Sequence, residues 1–219
     1  MTKKILIATG GTGGHIFPAY SLANYFLNKD FNVKLTIDKR GLKYLEGYKN
    51  LKFVIIPSSP LSQKNFFSFL LSIFFIVIST IKSFVFLLFE RPSIVIGMGG
   101  YSSFPTCIAA SILRIRFVIY ENNLIIGKAN KYLLPFTEKI FVSYKDIEGI
   151  KDKYINKVVV LGNIIRQDII DSNLIRHSNK ELNEIKILVL GGSQAAKIFA
   201  EKLPQIFEKL KKSGIKIKI

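Results

Sequence analysis

Two glycine-rich segments of the chain could bind phosphate groups through their backbone amides. The first is GGTGGH at residues 10–15, and the second is GMGGY at residues 97–101. Glycine lets a backbone approach an anion closely, and the free amides at a helix N-terminus lie at the positive end of the helix dipole. Each segment follows a predicted strand and precedes a predicted helix, so we expect both turns at one edge of a parallel sheet. The alternative for each segment is a tight strand–helix turn that binds nothing.

The first glycine segment does not match the two common nucleotide-binding fingerprints. No Gly-Lys-Ser or Gly-Lys-Thr follows it, which excludes a Walker A loop. Gly11 and Gly13 fit a G-x-G-x-x-G pattern, but Ile16 stands where the third glycine belongs. A nicotinamide-dependent enzyme also needs an acidic residue about twenty positions beyond the loop, and Asp38 is farther away. An NAD(P)-dependent Rossmann oxidoreductase is therefore kept as an alternative.

Several ionisable or amide side chains near the predicted turns could take part in chemistry. His15 begins a helix, where the dipole lowers the pKa of an imidazole and favours the neutral base. Glu121 is followed by Asn122 and Asn123, and such a group suits a hydroxyl-rich ligand. Arg166 could neutralise a diphosphate. The alternatives are a hydrogen-bonded structural histidine, an ordinary polar loop and a surface salt bridge.

Short apolar runs alternate with longer helical stretches along the chain. The runs are continuous rather than alternating in polarity, as in parallel strands that are covered on both faces. This pattern predicts an α/β fold with a doubly wound parallel sheet. The predicted strands are residues 5–8, 33–37, 53–56, 93–96, 117–119, 139–142, 158–161 and 185–190.

A weak internal repeat indicates two domains. Residues 4–12 and 186–193 both read as a strand that runs into a Gly-Gly-hydroxyl turn. Residues 171–184 between them are polar and predict a linker, which leaves an N-terminal domain over residues 1–170. Residues 185–219 then supply only the first strand–helix unit of a second Rossmann-like domain, too little to enclose a core of its own. From this we expect the chain to be truncated at its C-terminus.

Residues 66–89, from Phe66 to Phe89, form the most apolar segment. It holds 24 residues, of which 18 are apolar, and Lys82 is its only charge. On a helix, the polar positions 68, 72, 79, 82 and 83 fall within an arc of roughly 100°. We expect a helix that lies on the sheet and turns an apolar face, flanked by Lys64 and Arg91, towards an anionic membrane surface. A plain core helix and a true transmembrane span are the alternatives, and a non-enzymatic membrane-associated protein would explain the same segment.

The overall composition limits the classes of partner and cofactor. The chain has 32 Lys and Arg against 15 Asp and Glu, giving a formal charge of +17. Anionic lipid, phosphorylated substrates and nucleic acid are each possible binding partners for this positive charge. A coding sequence rich in A and T could also produce the excess of lysine without any such partner. No basic run supports nucleic-acid binding. One cysteine, Cys107, and two histidines, His15 and His177, exclude a disulfide framework, a multi-Cys zinc site and a His-rich metal centre. We also expect no cofactor.

The ordered motifs resemble those of the MurG family of bacterial peptidoglycan glycosyltransferases. They are GGTGGH, GMGGY, YENN at residues 120–123, LGN at residues 161–163 with Arg166, and GGSQ at residues 191–194. The likeness runs from residue 4 to about residue 209. It implies a GT-B fold, with two Rossmann-like domains across a cleft, and transfer of N-acetylglucosamine from UDP-GlcNAc to undecaprenyl-diphosphate-linked muramoyl-pentapeptide (lipid I), giving lipid II. It also implies inversion by direct displacement, no metal, and peripheral attachment at the cytoplasmic face of the bacterial inner membrane.

The resemblance assigns roles to individual residues. The implied donor contacts are Thr12, Gly13, Gly14, Asn123, Arg166 and Ser193. The implied acceptor-diphosphate contacts are Gly99, Gly100 and Tyr101, and the candidate catalytic residues are His15 and Glu121. Tyr120 and Asn122 stand where the family has His and Gln, and Ala195 replaces a glycine after GGSQ. Segments that bind uracil, ribose and the sugar hydroxyls are absent from this sequence, so we expect this polypeptide alone to transfer no sugar.

Overall fold

The computed structural model describes residues 3–44, 51–59, 65–172, 185–191 and 196–219. The chain separates into two compact units, Met1–Ser172 and Asn173–Ile219. Most of the predicted linker and Ser193 of the third glycine motif lie outside the described residues.

The first unit is built on a seven-stranded parallel sheet. Its strands are β1 (Lys4–Ala8), β2 (Asn32–Ile37), β3 (Lys52–Ile55), β4 (Ile94–Gly97), β5 (Phe117–Glu121), β6 (Ile140–Val142) and β7 (Val158–Val160). Their order across the sheet is β3-β2-β1-β4-β5-β6-β7. The direction of winding therefore reverses between β1 and β4. Ligands of open α/β sheets collect beyond the carboxyl ends of the strands at such a switch point.

Helices cover both faces of this sheet. They are α1 (Gly13–Leu27), α2 (Lys39–Leu42), α3 (Phe66–Glu90), α4 (Gly100–Ile112), α5 (Lys128–Leu133) and α6 (Gln167–Ser172), with a 3₁₀ helix at Asp152–Lys157. In β1, Ile5 and Ile7 pack with buried residues of α1, while Leu6 and Ala8 pack with buried residues of α3 and α4. Burial on both faces explains why the apolar runs of the sequence are continuous.

The structure confirms the predicted α/β class with a doubly wound parallel sheet. The first seven predicted strands agree with the observed ones to within two residues at either end. The eighth, predicted over residues 185–190, is wrong in length, because β8 (Ile185–Lys186) pairs with a β9 of only two residues, Ile217–Lys218.

The second unit contains β8, α7 (Ala196–Lys212) and β9. The two strands are parallel, with Ile185 opposite Ile217, and α7 is the crossover helix between them. A strand–helix–strand element of this kind is the repeating unit of Rossmann-like sheets.

Helix α3 packs on the first unit through small polar side chains. Its buried residues are Ser72, Ser79, Ser83 and Leu87. The Ser83 hydroxyl lies 3.2 Å from the hydroxyl of Thr106 in α4, which lies 3.2 Å from the hydroxyl of Thr36 in β2. The predicted polar stripe therefore faces the protein at these serines. Lys82 does not share this environment, because it is exposed.

Candidate functional site

The two glycine-rich turns lie side by side at the carboxyl edge of the sheet. The first follows β1 and the second follows β4, and these strands are neighbours with Ala8 opposite Gly97. A Cβ atom placed on Gly10 would lie 2.6 Å from the side chain of Ser102, in the first turn of α4. A residue with a side chain at position 10 would therefore push the two turns apart. The fold brings together the two segments that the sequence analysis singled out.

Both turns lead into helices whose first amides can donate to a ligand. Helix α1 begins at Gly13 after Thr12, and α4 begins at Gly100 after Gly99. Within the part of the chain that the structure describes, neither helix start has a side-chain cap. The first amides of a helix have no partner inside the helix, so they are free to bind an anion. Gly99 and Gly100 have φ angles of +82° and +74°, which residues with a side chain rarely adopt.

His15 lies in the contact between the two turns. A Cβ on Gly99 would be 3.2 Å from its Cε1 atom, and a Cβ on Gly100 would be 3.2 Å from its Cδ2 atom. The imidazole thus packs directly on the backbone of the second turn. Its Nδ1 atom is buried and has no hydrogen-bond partner among the described residues, so its lone pair is unused but shielded from solvent.

The imidazole of His15 is neutral at pH 7. Burial lowers its pKa from the ordinary 6.5, against the smaller raising effects of the Glu121 charge and a hydrogen bond to the backbone of Met98. A lowered pKa is also the direction that the helix dipole predicts from the sequence. The main cause is burial between the two glycine turns.

Glu121 organises the loop that follows β5. Its carboxylate is buried, and Oε1 accepts hydrogen bonds from the backbone and side-chain amides of Asn123 at 3.1 and 2.7 Å. Oε2 accepts from the backbone amide of Gly127 at 2.8 Å and from the side chain of Asn130 at 3.0 Å. Four donors fill the lone pairs of the two oxygens, so this carboxylate shapes the loop and has little capacity for a ligand.

Two side chains, Asn122 and Asp38, hold the first glycine turn, a role that the sequence did not indicate for either of them. Asn122 donates from its amide to the carbonyl of Gly14 at 2.9 Å. Asp38 follows β2, and its carboxylate accepts from the amide of Gly11 at 2.9 Å. The only sequence signal for either residue is a polar side chain directly after a strand. Because protein donors occupy the Asp38 carboxylate, it is not available to a ribose, which disfavours the nicotinamide alternative.

Arg166 lies beside the first glycine turn through Phe17. Its guanidinium carbon is 4.9 Å from the centroid of the Phe17 ring, and a Cβ on Gly13 would be 2.8 Å from that ring. Arg166 also pairs with Asp168, its Nε lying 3.4 Å from the carboxylate. The surface ion pair that was the alternative for Arg166 is therefore present, and the guanidinium is still close to the turn.

The remaining candidate residues differ in their accessibility. Thr12, Gly14 and Asn123 are exposed, and Tyr101 is half-buried. Ser193 lies outside the described residues, so its role stays a prediction.

Burial raises the pKa of the Cys107 thiol to about 12, which makes this cysteine a poor nucleophile. Among the described residues, no group of three His, Cys, Asp or Glu side chains could hold a metal ion.

The carboxyl edge of the sheet therefore offers backbone donors at two helix starts, a neutral imidazole and a nearby guanidinium. Backbone donors and a guanidinium suit a diphosphate. A neutral imidazole suits a hydroxyl that loses its proton. The site can hold a diphosphate ligand next to a reacting hydroxyl.

Comparison with known proteins agrees with this chemistry. Residues 5–142 match the glycosyltransferase family 28 N-terminal domain. The chain is 37% identical over 220 residues to the UDP-N-acetylglucosamine–N-acetylmuramyl-(pentapeptide) pyrophosphoryl-undecaprenol N-acetylglucosamine transferase of Pelagibacter ubique, a match covering 100% of the chain and 60% of the relative. A relative of the same name from Rickettsia felis is 35% identical over 228 residues, covering 99% of the chain and 61% of the relative. The chain thus spans about 60% of the length of these curated relatives.

A crystal structure of MurG from Acinetobacter baumannii has a similar fold. The TM-score is 0.70 at 23% sequence identity, over 96% of this chain and 58% of that one. At this identity the likeness concerns the fold, and it confirms the predicted GT-B class.

Proposed function

Because the chain belongs to glycosyltransferase family 28, we propose that it acts in the transfer of N-acetylglucosamine from UDP-GlcNAc to lipid I, giving lipid II for peptidoglycan. In this proposal the first unit binds the acceptor and the second unit belongs to the donor side. The observation that carries the proposal is the pair of adjacent glycine turns at the switch point between β1 and β4. The diphosphate of lipid I is the group that such a pair of turns would hold.

The second turn suits the acceptor diphosphate and the chain attached to it. The amides at Gly99, Gly100 and Tyr101 would donate to the phosphate oxygens at the start of α4. Tyr101 also lines a small pocket of about 60 Å³ together with Ile76 of α3 and Lys128 of α5. This neighbourhood supports a pose in which the diphosphate lies at the turn and the prenyl chain runs along α3.

His15 is the candidate base for an inverting displacement. In that reaction an acceptor hydroxyl attacks the anomeric carbon of the donor sugar, and the bond from that carbon to UDP breaks as the new bond forms. UDP leaves with the bonding electrons, and the hydroxyl proton passes to a base. The neutral imidazole of His15 fits that role better than the filled carboxylate of Glu121. Because its Nδ1 is buried, this nitrogen would have to become accessible to the hydroxyl when the acceptor binds. The proposed donor contacts are Thr12, Gly13, Gly14, Asn123, Arg166 and Ser193. In this proposal the first glycine turn, which carries Thr12, Gly13 and Gly14, would contact both the donor and the lipid I diphosphate.

The outer face of α3 supports peripheral attachment at the cytoplasmic face of the bacterial inner membrane. Its exposed apolar side chains are Phe66, Phe67, Phe69, Leu70, Leu71, Ile73, Phe74, Phe75, Val77, Ile78, Ile81, Val85, Leu88 and Phe89. Continuous apolar surface of this extent indicates a membrane or protein partner. Helix α3 is long and apolar enough to cross a bilayer, but its serine face packs on α4, which favours a helix lying on the surface. Arg91 and Lys82 are exposed cations on this helix and its C-cap, while Lys64 lies outside the described residues.

Acceptor binding is tested by isothermal titration calorimetry of the purified chain with a short-chain lipid I analogue. We expect saturable binding, weakened about tenfold or more by Gly100→Ala, because a Cβ there strains the turn and presses on His15. Gly162→Ala is the matched control, since Gly162 has a similar φ of +82° and open space around its Cβ position. Its affinity should stay within about twofold of wild type. Absence of binding to wild type, or equal losses in both variants, would contradict the proposal.

Membrane attachment is tested by flotation with anionic liposomes, followed by a carbonate wash. Wild type should float and be released by carbonate. The double variant Phe67→Glu/Phe74→Glu should remain at the bottom, because it places charge on the apolar face of α3. Ile155→Glu, at another exposed apolar position, is the control and should float. Retention of wild type after carbonate would instead favour a transmembrane span, and failure to float would contradict attachment.

A further inference from the structure

Asp38 joins three segments of the chain at the carboxyl edge of the sheet. It follows β2, and its carboxylate is almost completely buried. Oδ1 accepts hydrogen bonds from the backbone amides of Gly11 at 2.9 Å and Gly41 at 3.0 Å. Oδ2 accepts from Nε of Arg40 and from the Ser58 hydroxyl, each at 2.8 Å. One side chain therefore links the first glycine turn, helix α2 and the segment after β3.

The same network reaches the second glycine turn. The Ser58 hydroxyl that donates to Asp38 lies 3.1 Å from the hydroxyl of Ser102, which is buried in the first turn of α4. A Cβ on Gly10 would lie 2.6 Å from Ser102 and 2.8 Å from Oδ1 of Asp38. The first turn is therefore held between the carboxylate on one side and the start of α4 on the other.

A glycine-rich turn needs such a restraint if it is to bind a ligand well. Gly10 and Gly11 have φ angles of +149° and +81° and carry no side chain that could anchor them. Glycine loses more conformational freedom on ordering than any other residue, so a turn that orders only on binding weakens the affinity. The bond from the Gly11 amide to Asp38 selects one conformation before the ligand arrives.

We propose that Asp38 is a positioning residue for the diphosphate site, which holds the first glycine turn in register with the second so that both present their amides to the ligand. This inference rests on the function proposed above. Asp38 does not touch the ligand in this arrangement, because its oxygens are filled by protein donors. Its effect on binding is exerted through Gly11 and, by way of Ser58, through Ser102.

Glu90 provides a control for a purely structural role. It is a second carboxylate paired with cations, Lys34 and Lys4, and its side chain is 13% exposed. These partners lie at the amino edge of the sheet, on the first residue of β1 and within β2. Loss of Glu90 therefore perturbs an ion-paired carboxylate of the same unit without touching the glycine turns.

The experiment compares Asp38→Asn and Glu90→Gln by calorimetric titration with the short-chain lipid I analogue, well below the thermal midpoint of each variant. We expect Asp38→Asn to weaken binding about tenfold and Glu90→Gln to stay within about twofold of wild type. Amide hydrogen exchange at Gly11 should be faster in ligand-free Asp38→Asn and unchanged in Glu90→Gln. Exchange at Gly11 reports on the first glycine turn itself. A general loss of stability would not speed exchange at this amide in particular.

The milder variant Ser58→Ala covers the case in which Asp38→Asn does not fold. It keeps the bond between Asp38 and Gly11 but removes the bridge to Ser102, and we expect about threefold weaker binding. If wild type binds the analogue and folded Asp38→Asn binds it equally well, the inference is overturned while the proposed function stands. If Asp38→Asn does not fold and Ser58→Ala binds the analogue with the affinity of wild type, the inference is overturned as well. If wild type fails to bind, the proposed function itself fails.

Discussion

The carboxyl edge and the amino edge of the sheet each hold a carboxylate surrounded by donors. At the carboxyl edge, Asp38 accepts from the backbone amide of Gly11 as well as from side chains. At the amino edge, the Glu90 carboxylate accepts a hydrogen bond from the ammonium group of Lys34. The ammonium group of Lys4 lies 3.6 Å from the same carboxylate and donates to the backbone carbonyl of Glu90. Burial by itself would raise the pKa of each carboxyl, but the donors outweigh burial and the pKa of both is lowered.

The two edges differ in what must move when the carboxylate is lost. Lys4 and Lys34 are 45% and 29% exposed, so their flexible side chains can turn back to water. The Gly11 amide cannot do so without a change in the turn that carries it. A carboxylate that accepts from backbone amides therefore fixes the local backbone conformation. A carboxylate paired with lysine side chains mainly neutralises their charge. The fold places the first kind at the edge where ligands of open α/β sheets collect.

Alanine substitutions at the two carboxylates should give the largest difference. Asp38→Ala should lower the free energy of unfolding by about 3 kcal/mol, because it leaves several buried donors unpaired. Glu90→Ala should lower it by about 1 kcal/mol, since its lysine partners become hydrated. Urea denaturation followed by circular dichroism measures both values. Equal losses would remove the distinction between the two edges.

Acid should expose the same contrast. Because the folded pKa of Asp38 lies below its ordinary 3.8, its stabilising contribution is complete above about pH 5 and is lost as the pH falls through the folded pKa. Between pH 5 and pH 3, wild type should lose up to about 1 kcal/mol more of its unfolding free energy than Asp38→Asn. Glu90→Gln should flatten the profile less, because its partners are more exposed. Urea titrations across this pH range measure the difference. Parallel curves of unfolding free energy against pH for wild type and Asp38→Asn would contradict the prediction.

His15 should add a pH dependence that belongs to the carboxyl edge alone. Its folded pKa is below 6.5, so the folded state binds a proton less readily than the unfolded chain does. Stability is then complete above about pH 7 and falls as the pH drops below 6.5. Wild type should lose about 1 kcal/mol more than His15→Asn between pH 7.5 and pH 5. A wild-type profile that follows the variant would show that the imidazole is solvated.

The smallest effect is expected at the amino edge. Lys4→Ala should change the free energy of unfolding by less than about 0.5 kcal/mol, because Lys4 is half exposed and Lys34 still neutralises Glu90. The urea midpoint at pH 7 measures this change. A loss comparable with that of Asp38→Ala would mean that the amino edge, too, depends on a specific ion pair.

The strands and the glycine turns could be predicted because their signals are local. Residues 5–8 are a continuous apolar run, and the structure buries them on both faces of β1. The motif order also predicted a glycosyltransferase family, which the match over residues 5–142 confirms. The length of β8 could not be predicted, since it depends on a partner strand of two residues.

The inner contacts of the site could not be predicted, because they join distant parts of the chain. Asp38 meets Gly11 across 27 positions, and Asn122 meets Gly14 across 108. The first contact exists because β2 pairs with β1 in register, which brings the residue after one strand to the turn after the other. Separation along the chain suggests Asp38 only as a distant ribose ligand, because it does not show which strands are neighbours.

From its sequence alone, this protein has a doubly wound parallel sheet, two glycine turns at helix starts, an apolar helix and membership of a glycosyltransferase family. Such features depend on the spacing of apolar residues and on residues that are adjacent in the chain, and both can be read directly from the sequence. Only the tertiary structure decided that the His15 imidazole packs between the turns, that the serines of α3 face α4, and that Asp38 holds the first turn. These contacts follow from strand order, because the order of strands determines which loops meet at an edge.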